Sequence, residues 1–233
     1  CEVEFELKQG SAQDLIEFAQ TWVEKYQLWL DVRSKAERGN LLAMGKKASA
    51  ATKAKSLNLD PSLSAEQALK RVIENSLNHI LPNAAAIAGG VAEADHIHQA
   101  RVGLRRLRSA LKHFSNWSEH INPAWESELA DIFRALGQSR DHDAIQDSVI
   151  PLIKEVCDFD FALSSSTDPE IATRLSNTQT TQLFLSLLSF IHSENEAKAK
   201  LSKQVSKSLT KLYHKILKDA SQFPELSIEQ QHR

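Results

Sequence analysis

Between Asp95 and Phe114 the chain packs four arginines, one lysine and three histidines into twenty residues, DHIHQARVGLRRLRSALKHF. Guanidinium and ammonium groups at this density are suited to giving positive charge and hydrogen bonds to an anion. Arginine's planar fork matches phosphate or carboxylate oxygens. Spacing decides whether the groups can act together. At about 100° per helical residue, His98, Arg101, Arg105, Arg108 and Lys112 fall within about 80° of one another. Ala100, Gly103, Leu104, Leu107, Leu111 and Phe114 take the opposite side. The cationic line runs for about 21 Å along the helix. Like charges at this spacing repel by a few tenths of a kcal/mol per pair, so acids from the fold or an anionic ligand must offset them. Arg106 lies off the line and is expected to pair with an acid such as Asp141 or Asp143.

A second stretch repeats the pattern. Residues 198–218 hold seven lysines and no Asp or Glu. Lys200, Lys203, Lys207, Lys211, His214, Lys215 and Lys218 gather on one helical face, with Leu201, Val205, Leu209, Leu212, Ile216 and Ala220 opposite. Two such helices, apolar sides inward, would line one positive groove, and a groove of single sign calls for a polyanion. The bland alternative is a solvated basic face on each helix. A histidine-based metal-binding or phosphoacceptor module is another alternative. It is weakened because His96 and His98 lie about 200° apart on a helix and cannot share a metal. Nucleic-acid binding is a third, disfavoured because neither stripe interleaves aromatics for base stacking. No nucleophile elbow, P-loop or cysteine-pair metal motif is present.

The elements that must hold these stripes are mostly helical. Apolar residues make up 42% and charged residues 25% of 233, with only seven glycines and six prolines, which argues for a globular fold of helices and against a turn-rich all-β one. The two cysteines, Cys1 and Cys157, exclude a disulfide framework and fit a reducing cytoplasm. No run is long and apolar enough to cross a membrane. EVEFELK alternates with period two and predicts a strand, Glu2, Glu4, Glu6 and Lys8 on one face and Val3, Phe5 and Leu7 on the other. Ser11 caps a predicted helix, and LWLDVRSKAERGNLL predicts a second strand, a turn at Arg38–Asn40 and a return. Residues 43–62 read as a linker. From 63 onward the reading is helix throughout. Ser64 and Gln67 form a capping box, and the helix behind it ends before Pro82. Asp95 caps the basic helix, which runs to about Trp117. Pro123 opens a helix ending near Gly137, the helical pattern restarts at Pro151, and 169–192 and 195–222 complete an antiparallel bundle.

IHQARVGLRRLRSALKHF resembles the first signature of the CHAD domain, a helical module. LGQSRDHDA, Leu136 to Ala144, resembles its second landmark, and LTKLYHKILK followed by LSIEQQHR resembles the approach to a repeat of the first. The resemblance implies a helical domain over 63–233 that binds inorganic polyphosphate in a basic groove. It implies that His98, Arg101, Arg105, Arg108, Lys112, Arg140, Lys207, Lys211, His214 and Lys218 face the phosphate chain. His232 and Arg233 match the opening of the second signature, the remainder of which is absent from the sequence. A cytoplasmic location, at polyphosphate granules, goes with this resemblance.

Residues 1–42 resemble the C-terminal end of a different family, the CYTH or triphosphate-tunnel fold. CEVEFELKQG looks like its late acidic strand and SKAERGNLL like its C-terminal turn. This resemblance implies a β-α-β remnant of a barrel in which Glu2, Glu4 and Glu6 hold Mg²⁺ or Mn²⁺ while Lys8, Lys35 and Arg38 grip a triphosphate. The expectation is therefore a piece, cut at both ends, of a protein whose whole is an inorganic triphosphatase. A barrel cannot close from two or three strands, so 1–42 is expected to be inactive by itself.

Overall fold

The computed structural model describes residues 2–144, 169–194 and 199–231, without the side chains of 138–144 and 230. Helices α1 (Ala12–Tyr26), α2 (Lys35–Ala43), α3 (Ala65–Ala88), α4 (Ala94–Phe114) and α5 (Ala124–Ala144) are followed by α6 (Pro169–Ser176), α7 (Thr178–His192), α8 (Leu201–Gln222) and a short α9 (Ile228–Gln231). The predicted restart at Pro151, Cys157, and the second-signature residues His232 and Arg233 lie outside the described residues.

The N-terminal reading needs correction. No strand forms among the described residues, so the expected β-α-β remnant is replaced by a chain segment and two helices. A strand must find a second strand for its backbone groups. The one expected from residues 28–42 is lost to α2, where the Ser34 hydroxyl accepts from the Glu37 N–H at 3.0 Å and good helix formers follow. Without a ladder, Phe5 docks on α1 instead, its ring centroid 5.3 Å from Phe18 and 5.6 Å from Trp22. Ser11 does cap α1, in a box with Asp14. α1 packs on α7, where Gln20 Nε2 donates to Ser186 Oγ at 3.1 Å and Gln182 Nε2 to the Gln20 carbonyl at 2.8 Å.

α3 is the central helix. It touches α4, α6, α7 and α8, and buries Leu69, Ile73, Leu77, Ile80 and Ile87 almost completely. Each such side chain contributes about 1.5–3 kcal/mol on leaving water. The capping box of Ser64 and Gln67 is present. The helix does not stop at Pro82 but runs through it to Ala88. Proline removes the N–H that would bond to the Asn78 carbonyl, and Asn78 is exposed, so water can take that role. The true end is at two glycines. Gly90, with φ of +67°, lets the Val91 N–H reach back to the Ala86 carbonyl at 3.0 Å.

Residues 46–63 lack regular structure yet are tied to α3 and α4. Buried Asn83 accepts from the Thr52 N–H at 3.0 Å and donates to the Thr52 carbonyl at 2.9 Å. Buried His96 accepts from the Glu93 N–H at 3.0 Å through Nδ1, which leaves Nε2 protonated to donate to the Ser49 carbonyl at 3.0 Å. Glu93, not Asp95, is therefore the residue that opens α4. The predicted single helix over 169–192 is broken at Asn177, whose side chain caps α7 by accepting from the Thr180 N–H at 2.7 Å.

α3 and α4 meet at Gly103. A Cβ there would lie 2.6 Å from Ile80 Cγ1 and 3.3 Å from His79 Nδ1, so only glycine permits this approach. Beside it, buried His79 bonds through Nε2 to Gln99 Oε1 at 3.0 Å. Burial holds the His79 imidazole below its ordinary value. The Gln99 bond opposes that shift, and the charge of Arg106 adds to it.

Two outcomes are expected. Gly103→Ala should destabilise the fold by about 1–2 kcal/mol in urea denaturation, because overpacking outweighs the roughly 1 kcal/mol gained in helix propensity. His79 should make stability fall with acidity. Its native affinity for a proton is depressed, so the unfolded chain binds the proton first as pH drops through about 6.5. The stability difference between wild type and His79→Gln should therefore shrink between pH 7.5 and 5.5, measured by denaturation at each pH.

Candidate functional site

α4 is rolled so that Ile97, Ala100, Gly103, Leu104, Leu107 and Leu111 are buried, and its cationic line lies along α5. The line is not uniform. Arg101 and Arg108 are half-buried, whereas Arg105 and Lys112 are exposed. The Arg101 Nη1 donates to the Phe133 carbonyl at 3.2 Å, and its guanidinium stands 4.5 Å from the centre of the Phe133 ring. Arg108 approaches the same ring at 5.5 Å and donates from Nε and Nη2 to Glu126 Oε1 at 3.0 and 2.8 Å. Gly137 makes room for this, since a Cβ there would lie 2.6 Å from Arg101 Nη1. Arg105 and Lys112 form no ion pair among the described residues, and His98 is half-buried. Arg140 lies in α5, but its side chain is outside the described residues.

Arg106 Nη2 donates to Asn75 Oδ1 on α3 at 3.1 Å, and the side chains of its expected partners, Asp141 and Asp143, lie outside the described residues. The Nη1 of Arg106 and the Nδ1 of His79 are buried polar atoms without a hydrogen-bond partner among the described residues.

The second stripe is present as a helix face. Lys203, Lys207, Lys211, His214, Lys215 and Lys218 lie along α8, all of them exposed, and make no ion pair among the described residues. The expected inward turn of the apolar side holds only for the first half of α8. Leu201 and Ser208 are buried, while Leu209, Tyr213 and Ile216 are 60%, 60% and 64% exposed. The two basic helices are not packed side by side. α8 rests on α3, and the Trp117 indole N–H just beyond α4 donates to Ser208 Oγ at 3.2 Å.

The N-terminal candidates pair with one another. Arg38 Nη2 donates to Glu2 Oε1 at 2.6 Å and Lys35 bonds Glu4 at 2.9 Å, whereas Glu6 and Lys8 are exposed. The Arg38 hydrogen bond holds the Glu2 carboxyl below its ordinary value, and the Glu4 hydrogen bond raises the Lys35 ammonium. At Asp31 the influences compete. Burial would raise its carboxyl, but hydrogen bonds from Arg33, with the charges of Arg33 and Arg38, bring it below the usual range. No group of three or more metal-ligating side chains converges among the described residues.

Sequence reasoning missed Glu126, Phe133 and the role of Gly137. They share one face of α5, within about 40° of one another, and that spacing was the available signal. What they would face was not.

The CHAD domain family model matches residues 71–233. A solved structure, the crystal structure of the CHAD domain from the plant Ricinus communis, is similar over 78% of this chain with 24% identity and a TM-score of 0.55. The chain spans 63% of the length of that one. At this identity the likeness speaks to the fold. No curated protein matches the chain.

Proposed function

The chain belongs to the CHAD domain family, and from that premise we propose that it binds inorganic polyphosphate through the basic face of α4, with the lysine face of α8 as a second contact surface. The observation that carries this reading is the state of the α4 line. Arg105 and Lys112 stand exposed and without an acid among the described residues, seven residues apart, beside two arginines already oriented by α5. Their Cα atoms are about 10.5 Å apart along the axis, a span that suits a chain of phosphates better than a single one. The face offers charge and hydrogen-bond donors. Among the described residues it shows no paired carboxylates or base poised to activate water, and the activity proposed is binding. The described residues contain no helix long and apolar enough to cross a membrane.

The larger reading places this chain in an inorganic triphosphatase, on the CYTH resemblance of residues 1–42. The residues present do not form that family's Mg²⁺ or Mn²⁺ site here. Glu2 is engaged by Arg38 and Glu4 by Lys35, so no catalytic step is drawn through them.

Arg105→Gln with Lys112→Gln should weaken binding of long-chain polyphosphate by on the order of tenfold or more, since charge-assisted contacts are the strong ones. The double variant should keep its helical circular dichroism, because both side chains point away from the core leucines. Calorimetric titration at fixed salt measures the affinity, with RNA and single-stranded DNA as competitors. Unchanged binding in the double variant, or tighter binding of a nucleic acid than of polyphosphate, would remove this reading.

A further inference from the structure

Arg101 and Arg108 are seven residues apart on α4 and would swing independently if nothing held them. The structure puts one aromatic ring against both. Phe133 of α5 lies 4.5 Å from the Arg101 guanidinium and 5.5 Å from that of Arg108, and its own carbonyl takes an Arg101 N–H. A cation over a ring face is attracted to it, and arginine stacks there without giving up the donors at its edge. Gly137, one turn further along α5, leaves the gap that Arg101 Nη1 occupies. Glu126, two turns earlier, takes the Nε and Nη2 of Arg108 with one carboxylate oxygen. The same α5 face thus acts on the cationic line in two opposing ways.

We propose that Phe133 is a positioning residue that orients Arg101 and Arg108 for a phosphate chain, and that Glu126 is a built-in competitor for Arg108. This rests on the polyphosphate reading above and adds the control of that site. With Phe133 in place, two arginines are held before the ligand arrives, and less freedom is lost on binding. With Glu126 in place, a ligand reaches Arg108 only by displacing or sharing a carboxylate. An isolated phosphate has little to offset that loss. A chain that also engages Arg105 and Lys112 does, so the pair favours extended polyanions over single phosphates.

The two neighbours of Arg108 should therefore have opposite effects on binding, which a merely structural role would not produce. Phe133→Leu keeps an apolar side chain of similar size but removes the ring. It should weaken long-chain polyphosphate binding roughly three- to tenfold and flatten the dependence of log K on log salt, as fewer cations engage together. Phe133→Tyr should restore both. Glu126→Gln should tighten binding, and proportionally more for orthophosphate or tripolyphosphate than for the long chain. Affinities are read by calorimetry on the full chain, and thermal melts report folding of each variant. Wild type that binds no polyphosphate would end the functional reading itself. Wild type that binds, with Phe133→Leu unchanged or Glu126→Gln unchanged or weaker, would overturn this proposal alone. Should Phe133→Leu fail to fold, Gly137→Ala, which crowds Arg101 from the other side, must weaken binding or the proposal falls.

Discussion

The contact between α3 and α4 at Gly103 governs everything downstream. Where one helix carries no side chain, Ile80 and the His79 ring of the other come against its backbone. Close packing then leaves α4 one rotational setting, with Leu104 and Leu107 fully buried. A rotation of α4 by one residue's angle would push leucines toward water and bring arginines over α3. The direction in which the cations point is thus a consequence of apolar packing on the other side of the helix. Charge does not choose the direction; the core does.

Given that setting, α5 sorts the cations into held and open ones. Arg101 and Arg108 are stacked on Phe133 and hydrogen-bonded to α5, and Arg105 and Lys112 are left in water. The sorting reduces the self-repulsion of the line, because Glu126 neutralises one member of it. Only part of the positive charge is then available to a ligand, yet the arginines that are partnered are also the ones held in place. α8 presents a different solution. Its lysines pair with no acid among the described residues, and its apolar side is covered only in its first half by the bundle.

The region before α3 is attached through polar side chains as well as through apolar ones such as Val23, Leu30, Leu59 and Leu63. Asn83 and His96, both buried, supply the amide and imidazole groups that satisfy the backbone of Ser49 and Thr52. A buried polar side chain without a partner is costly, so Asn83 and His96 hold in place a stretch whose composition alone suggested a linker. The acidic residues near the start neutralise the basic residues of α2. Alternation of charge and apolar residues in EVEFELK was a real signal for a strand, but a strand is completed by its neighbour. With α2 formed from the same stretch that would have returned as a strand, no neighbour exists among the described residues.

The sequence by itself determined the helical class, the cap at Ser11, the capping box at Ser64, and the segregation of cations from leucines on α4, because each depends on residues within a turn or two of one another. The passage of α3 through Pro82 and the break at Asn177 were not legible, since both depend on whether backbone groups meet water or a side-chain cap. Nor could spacing reveal which cations are partnered. Glu126 and Phe133 are distant in the chain from Arg101 and Arg108, and only the packing of α5 along α4 brings them together. The core expected to draw the apolar side of α8 inward reaches only its first half, because burial requires a facing surface and not merely an amphipathic pattern. Local periodicity writes the faces of helices, and tertiary contact decides what each face meets.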